Sequence, residues 1–582
     1  MSWWSEGMPW RSGPWSLTLR GDELADVAYE GRAVLRSVRA VVRDADWNTA
    51  DLVVDRVSET DTSLTLHVRS EGLGSSFAGV VRVERRTAGL RVVLDLETAD
   101  AFDTNRTGLV VLHPPSVAGA PLEVHHTDGR ASRTAFPRRI SPHQPVTDVA
   151  ALSWPVAGAE IGARFDGDVF EMEDQRNWTD ASFKTYSRPL DLPFPYRLAA
   201  GERVRQSIAL TVTGQMPPRE PAGDTAIGLR PGGVFPAMLL GAATAPDPAP
   251  PTRPVGDGVL VELDLGTPTW RAALARAREA GLPLDVRFTI GDDPAAAAAV
   301  LGDAVAALRG IPLLRIAVFH SAGPARHVSD VDAVAALRRA MADAGIEAPV
   351  VGGSRSHFTE LNRERHRLPA DLDALTTTVT PLFHATGTDQ LVESVAMQRL
   401  VARQTVDTAG GLPVHLGPIA LRPRFNDVAT GAQPAPTRPD LAEGYGAAFT
   451  GGTDPRQDAP KLAAWTIASA AAHAVPGVAS LAWFEEWGPR GIRSSDGTDR
   501  PVAAALRDLA ALSGAELLTG ESPDGLVWAV GARREDTATV LAANLDRVPR
   551  TVTVDVAGRP IDLALAAGTF RRTDLAPNQE SP

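Results

Sequence analysis

The sequence predicts a multidomain β plus α/β protein: an N-terminal β-sandwich, a central TIM-like (β/α)8 barrel and a small C-terminal β-sandwich. Three observations carry this. Residues 1–215 consist of short runs that alternate apolar and polar side chains, the pattern of half-buried antiparallel strands. Residues 234–514 alternate strand-length apolar runs with amphipathic stretches, as a parallel sheet with crossover helices requires. Residues 515–582 return to period two.

In chain order, the first region offers strands at 52–54, 64–68, 80–83, 90–96 and 108–112, with Asp-Gly turns at 128–129 and 166–167. Residues 216–233 are rich in proline and glycine and read as a linker. Eight strands follow, at 234–240, 259–263, 284–290, 313–319, 349–352, 374–379, 413–416 and 478–484. One intervening helix opens at Pro294, lines a face with Leu301, Val305 and Leu308, and stops at Gly310. Another starts at Ser329, buries Val334, Leu337 and Met341, and stops at Gly345. The first strand is followed by a loop, 242–257, in place of a helix. After a helix over 502–512, strands are expected at 525–530, 537–545, 550–556 and 569–573.

Composition narrows the function. The 582 residues hold 58 basic and 71 acidic side chains, a net charge of −13, which argues against a nucleic-acid or anionic-membrane partner. With no cysteine, disulfides and thiolate chemistry are excluded. No apolar run is long enough to span a membrane, and the first residues lack the pattern of a secretory signal. A cytoplasmic location is expected. The sequence has no HxH, HExxH, GxSxG, GxGxxG or Walker A pattern, so neither a metal nor another cofactor is expected. Oligomeric state is left open.

In a barrel of this type the chemistry lies at the C-terminal ends of the strands. The residues there are Asp264, Arg287, His320, the 358–363 stretch with Glu360 and Asn362, His384, the 421–426 stretch with Arg424, and Glu485-Glu486-Trp487. Asp264 has a helix cap as its competing reading, Arg287 an internal ion pair, and the two histidines a structural hydrogen bond. His357 and His366 are read as solvent-facing. Glu360 and Glu485 stand out, because a carboxylate at the end of an apolar strand is costly unless paired or used. Two such carboxylates suggest glycoside hydrolysis. The Asn-Glu pair common in retaining barrels occurs nowhere in the chain. Residues 170–186 are dense in charge, amide and aromatic groups; they form either a lip over the barrel mouth or a buried network tying sandwich to barrel.

Several segments together resemble the D-apionate lactonase family. They are 38–44 with Trp47-Asn48, Asn105-Arg106-Thr107-Gly108, 111–114, 171–186, 358–363, 421–426, 454–457 and Glu485. The resemblance runs from about residue 30 to the end, and 171–186 is its most specific part. Thr380-Pro381-Leu382-Phe383-His384 keeps only the proline and histidine of the family's pattern there. The resemblance implies hydrolysis of D-apionolactone to D-apionate in apiose catabolism, with a small-molecule sugar lactone as the substrate.

Lactone opening needs a base for water and a stabiliser for the oxyanion. Glu360 or Glu485 is the expected base, assisted by His384; a glutamate nucleophile is equally writable. Arg287 and Arg424 are expected to hold the oxyanion or the product carboxylate, and Asn362 and Asp264 the sugar hydroxyls, with His320 and Trp487 also at the substrate. The rival readings are a glycoside hydrolase using Glu360 and Glu485, and a sugar-binding protein without catalysis.

Overall fold

A computed structural model describes residues 3–4, 6–217, 226–245, 248–429 and 453–576. Two antiparallel nine-stranded sheets form the N-terminal β-domain. One runs in the order 8–12, 15–20, 23–29, 32–43, 106–113, 183–186, 170–174, 146–149, with 49–50 at its side. Alternation divides its side chains. Val38, Val42, Leu109, Val111, Met172 and Phe183 enter the core shared with the second sheet. The opposite face carries charges toward the barrel.

All eight barrel strands expected from the sequence are present, within three residues of the expected limits. They are Ala237–Gly241, Gly258–Asp264, Leu284–Ile290, Leu313–His320, Val350–Gly353, Ala374–Val379, Val414–Ile419 and Val478–Glu485, closed into a parallel ring. Period two explains the packing. Val259, Val261 and Leu263 of strand two meet the helical layer, so Glu262 and Asp264 face the lumen. Among the described residues no helix follows strand one, as the loop at 242–257 suggested. The helix Val331–Ala344 is capped by the Asp330 side chain and ends at Gly345 in the left-handed conformation.

The lumen is unusually polar below its mouth. Asp285 accepts from Arg315 Nε at 2.8 Å and from Arg287 at 3.2–3.3 Å. Arg287 Nη1 donates to the Gly417 carbonyl at 2.6 Å, and Arg315 to Ser480 Oγ at 2.9 Å. Burial pushes Asp285 up, but the two guanidiniums outweigh it and hold it at about 2. A buried carboxylate survives only with such pairing. Gly417 has φ +140, and a Cβ there would meet Ala482 Cβ and carbonyl oxygen at 2.7 Å; only glycine lets this carbonyl reach Arg287.

The proline- and glycine-rich stretch is not wholly a linker. Residues 218–225 lie outside the described residues, whereas Ala226–Val234 is a strand. It pairs parallel with Arg550–Val556 and antiparallel with Glu516–Thr519. It is the third strand of a seven-stranded C-terminal sheet, in the order 559–565, 550–556, 226–234, 516–519, 527–534, 537–544, 569–575. Both halves share one core, including Leu229, Leu518, Val540, Val552 and Leu563. Prolines and glycines hid this strand because they lower β-propensity without forbidding a strand that has bulges; its register shifts between Pro231 and Val234.

Candidate functional site

A pocket and a separate cluster of buried polar side chains lie at the C-terminal end of the barrel. The pocket is open and measures about 1160 Å³, including the solvent over it. The loop after strand one, the end of strand two, and the loops after strands five, seven and eight build it. Phe484, at φ +36, bends the end of strand eight. Glu485 there accepts from Thr244 N at 3.1 Å and Thr244 Oγ1 at 3.0 Å, and pairs with Arg490 Nε at 2.9 Å. Across the pocket Arg424 holds Glu262 through two bonds of 2.7 and 2.8 Å. Burial raises Glu262, but Arg424 and Arg355 prevail and hold it at about 2, so it is a permanent anion and a poor base. Asp264 accepts from Gly266 N at 3.0 Å and lines the same pocket.

The polar cluster joins the β-domain to the loops after strands five and six. Strand register fixes its residues. Arg43 stands opposite Arg106, Leu112 and Glu173 opposite Lys184, and Val110 and Glu171 opposite Tyr186. Paired residues share a face, so Arg43, Arg106, Glu171, Glu173, Lys184 and Tyr186 all project toward the barrel. Glu173 is ion-paired with Lys184, and the Tyr186 hydroxyl donates to Glu171 at 2.5 Å. Arg106 lies 3.6 Å from the Tyr186 ring centroid and Lys184 Nζ 4.9 Å from it.

A short 3-10 helix, Gln175–Trp178, carries the chain on to Asp180. Asp180 Oδ2 lies 2.8 Å from His384 Nδ1, and Asp180 Oδ1 accepts from Gln390 Nε2 at 2.8 Å. Trp178 stacks parallel to Phe383 at 6.1 Å and meets His384 edge-on at 5.1 Å. Asn362 donates to Asn177 Oδ1 at 3.0 Å and to the Ile140 carbonyl at 3.2 Å. Of the two readings of 170–186, the buried network tying sandwich to barrel is the observed one.

Burial and the cations Lys184 and Arg43 hold His384 well below the ordinary imidazole value. Burial pushes Asp180 up to about 7, against the pull of Lys184 and Arg36. It also brings Lys184 down to about 8, against Glu173. His384 is therefore neutral at pH 7. When Asp180 is ionised it accepts Nδ1–H, which leaves Nε2 as a lone-pair acceptor. No bond to Nε2 is made within the described residues.

His357 stands between the pocket and the cluster. Its Nδ1 is 2.7 Å from Asp427 Oδ2 and its Nε2 is 2.5 Å from Thr380 Oγ1. It is 3% exposed, so the solvent-facing reading is wrong: Phe383 and the loop after strand seven cover it. Potential ligand atoms of His357, Glu360 and Asp427 lie within 4.8 Å of one another. A cation fits them poorly, because both imidazole nitrogens are engaged and Glu360 Oε2 is bonded to the Ser356 hydroxyl and His357 N–H. That bonding makes Glu360 the third residue of a capping box on the helix Phe358–Glu364.

The expected site residues therefore divide. Asp264, Arg424 and Glu485 line the open pocket, and His384 and Asn362 meet the β-domain. Glu360 caps a helix and does not line the pocket that holds Glu485. Arg287 is locked in the lumen. His320 bonds Asp330, the cap of the next helix, at 3.0 Å. Trp487 is buried against Ala243 and Ala245, with Arg276 over its ring. Sequence reasoning singled out the 170–186 segment that holds Asp180 and Lys184 without assigning either a role, and did not single out Arg43, Arg106, Glu262, Arg355, His357 or Asp427 as site residues. A charge inside an apolar strand is the signal that marks Glu262.

Comparison with known proteins follows the same division. A model described as D-apionate lactonase, N-terminal domain matches residues 4–215, and one described as D-apionate lactonase, TIM barrel domain matches 256–514. A Brucella anthropi protein named D-apionate lactonase is 27% identical over 593 residues, covering 94% of this chain and 93% of that one. Among solved structures, a beta-arabinopyranosidase aligns at 10% identity and TM-score 0.31, covering 98% of each chain. SrfJ from Salmonella typhimurium aligns at 9% and 0.40, covering 64% of this chain and 96% of that one.

Proposed function

The chain belongs to the D-apionate lactonase family, and on that premise we propose that it hydrolyses a sugar-acid lactone such as D-apionolactone, giving D-apionate in cytoplasmic carbohydrate catabolism without a cofactor. The observation that carries the reading is the Asp180–His384 pair, 2.8 Å apart, with Nε2 unbonded among the described residues. Water bonded to Nε2 gives its proton to the imidazole as its oxygen attacks the lactone carbonyl carbon. The carbonyl oxygen takes up the negative charge, which Lys184 and its cationic neighbours stabilise. The ring C–O bond then breaks, and the departing alkoxide takes the proton from the imidazolium. A positioned base of this kind contributes about 10²–10⁴-fold. The glycosidase reading draws no support from the Glu360 and Glu485 pair, since only Glu485 lines the open pocket.

The test is acid release at pH 7 from D-apionolactone and other aldonolactones, corrected for spontaneous opening, with aryl glycosides in parallel. Lactone turnover that collapses in His384→Ala is expected. Aryl-glycoside cleavage with inert lactones would overturn the reading.

A further inference from the structure

Arg43 and Arg106 face each other across adjacent strands on the charged face of the β-domain. Arg43 is 9% exposed and Arg106 is 2% exposed. The Nε–H of each is shut in without an acceptor. Among the described residues neither guanidinium makes a hydrogen bond or ion pair. The neighbouring carboxylates are committed elsewhere: Glu173 to Lys184, Glu171 to the Tyr186 hydroxyl, and Asp180 to His384 and Gln390. Two buried like charges that feel nearby carboxylates only at a distance, with none in direct contact, are costly, and natural structures rarely leave them so without a use. Stacking supports the Arg106 plane, with Tyr186 at 3.6 Å and Trp47 at 5.0 Å. The Trp178 indole N–H is also buried without an acceptor, and its ring touches His384. The place is thus rich in idle donors and short of acceptors.

We propose that Arg43 and Arg106 form a carboxylate seat, which takes the acid group of a small polyhydroxylated carboxylate beside His384. A planar guanidinium matches a carboxylate through paired N–H···O bonds. The inference rests on the lactone-hydrolase reading, because a sugar acid is what lactone opening releases. It makes the β-domain part of the ligand site and gives the product a counter-charge that the neutral lactone does not use.

The test is calorimetric titration of the full-length protein with D-erythronate, a four-carbon sugar acid, against erythritol and inorganic phosphate. Erythronate is expected to bind at least tenfold more tightly than either. Arg43→Met and Arg106→Met should each weaken it at least tenfold, while His384→Ala keeps it. Should these variants unfold, wild-type inhibition serves: erythronate slows lactone turnover and erythritol does not. Erythronate affinity unchanged in folded arginine variants, preference for phosphate, or no erythronate binding at millimolar concentration each overturns the seat. The two readings fail separately. Lactone turnover with erythronate ignored removes the seat alone, whereas arginine-dependent erythronate binding without lactone turnover removes the reaction alone.

Discussion

His384 Nδ1 and Asp180 Oδ2 form one 2.8 Å hydrogen-bonded pair although 204 residues separate them and each comes from a different domain. The barrel supplies the imidazole and the β-domain sets its tautomer. Asp180→Asn offers an amide in place of the carboxylate and no longer fixes Nε2 as the acceptor. It should lower kcat by about 10²–10⁴-fold with KM changed only a few-fold. Steady-state kinetics on a lactone checks this; an unchanged kcat would reduce the pair to a domain tie.

The pH profile follows from the same pair. Below about 7 Asp180 is protonated, donates to Nδ1 and forces the proton onto Nε2, which cannot then accept one. Activity should rise as pH climbs through about 7. The groups facing the pair are Lys184, Arg43, Arg106, His357 and Gln390. Of these Lys184 is held down to about 8, so activity should fall again as it loses its charge above that value. Lys184→Arg should remove the alkaline limb. A pH-stat profile with the spontaneous rate subtracted measures both limbs.

Glu360 and Glu485 should separate cleanly. Glu360→Gln disturbs a capping box and should cost about 1 kcal/mol of stability, with kcat within about threefold. A hundredfold loss of kcat would instead place the base at Glu360. Glu485→Gln breaks the pairing with Arg490 inside the open pocket, and should raise KM more than it lowers kcat. Thermal melts and a kcat-against-KM split measured on the same preparations decide the matter.

Glu486 is 9% exposed, and burial pushes its carboxyl up to about 7, with Arg493 and Arg276 opposing. The folded state therefore holds this proton more firmly than the unfolded chain. The stability it brings is complete below the ordinary carboxyl range and is lost as pH rises through about 7. Glu486→Gln should leave the melting temperature unchanged in acid and raise it at pH 8, by an amount equivalent to at most about 3 kcal/mol. Melts at pH 4 and pH 8 check this; equal shifts at both would remove the buried charge as their cause.

The barrel was legible because its strands are apolar on the outward positions, and Val259, Val261 and Leu263 declare that period locally. The Asp180–His384 pair was not, because nothing near either residue encodes a partner in another domain. Glu360 misled for a physical reason. A carboxylate at the third position of a helix and one poised for catalysis look alike in sequence, and here the carboxylate is engaged in capping bonds to Ser356 and His357. Arg287 misled likewise, since its alternation marks it as lumenal without giving its depth; Asp285 and Gly417 hold it below the pocket.

The strand Ala226–Val234 reaches the ribosome exit long before Arg550–Val556, its parallel partner. During synthesis it must wait, with Ile227 and Leu229 uncovered, until the whole barrel has emerged and the last strands arrive. The C-terminal sheet therefore closes last and fastens the segment before the barrel to the segment after it. A chain cut after the barrel would keep all eight parallel strands yet leave this early strand as a bare edge, prone to recruit another chain. Yield of soluble protein, rather than catalysis, would be the first casualty of such a cut.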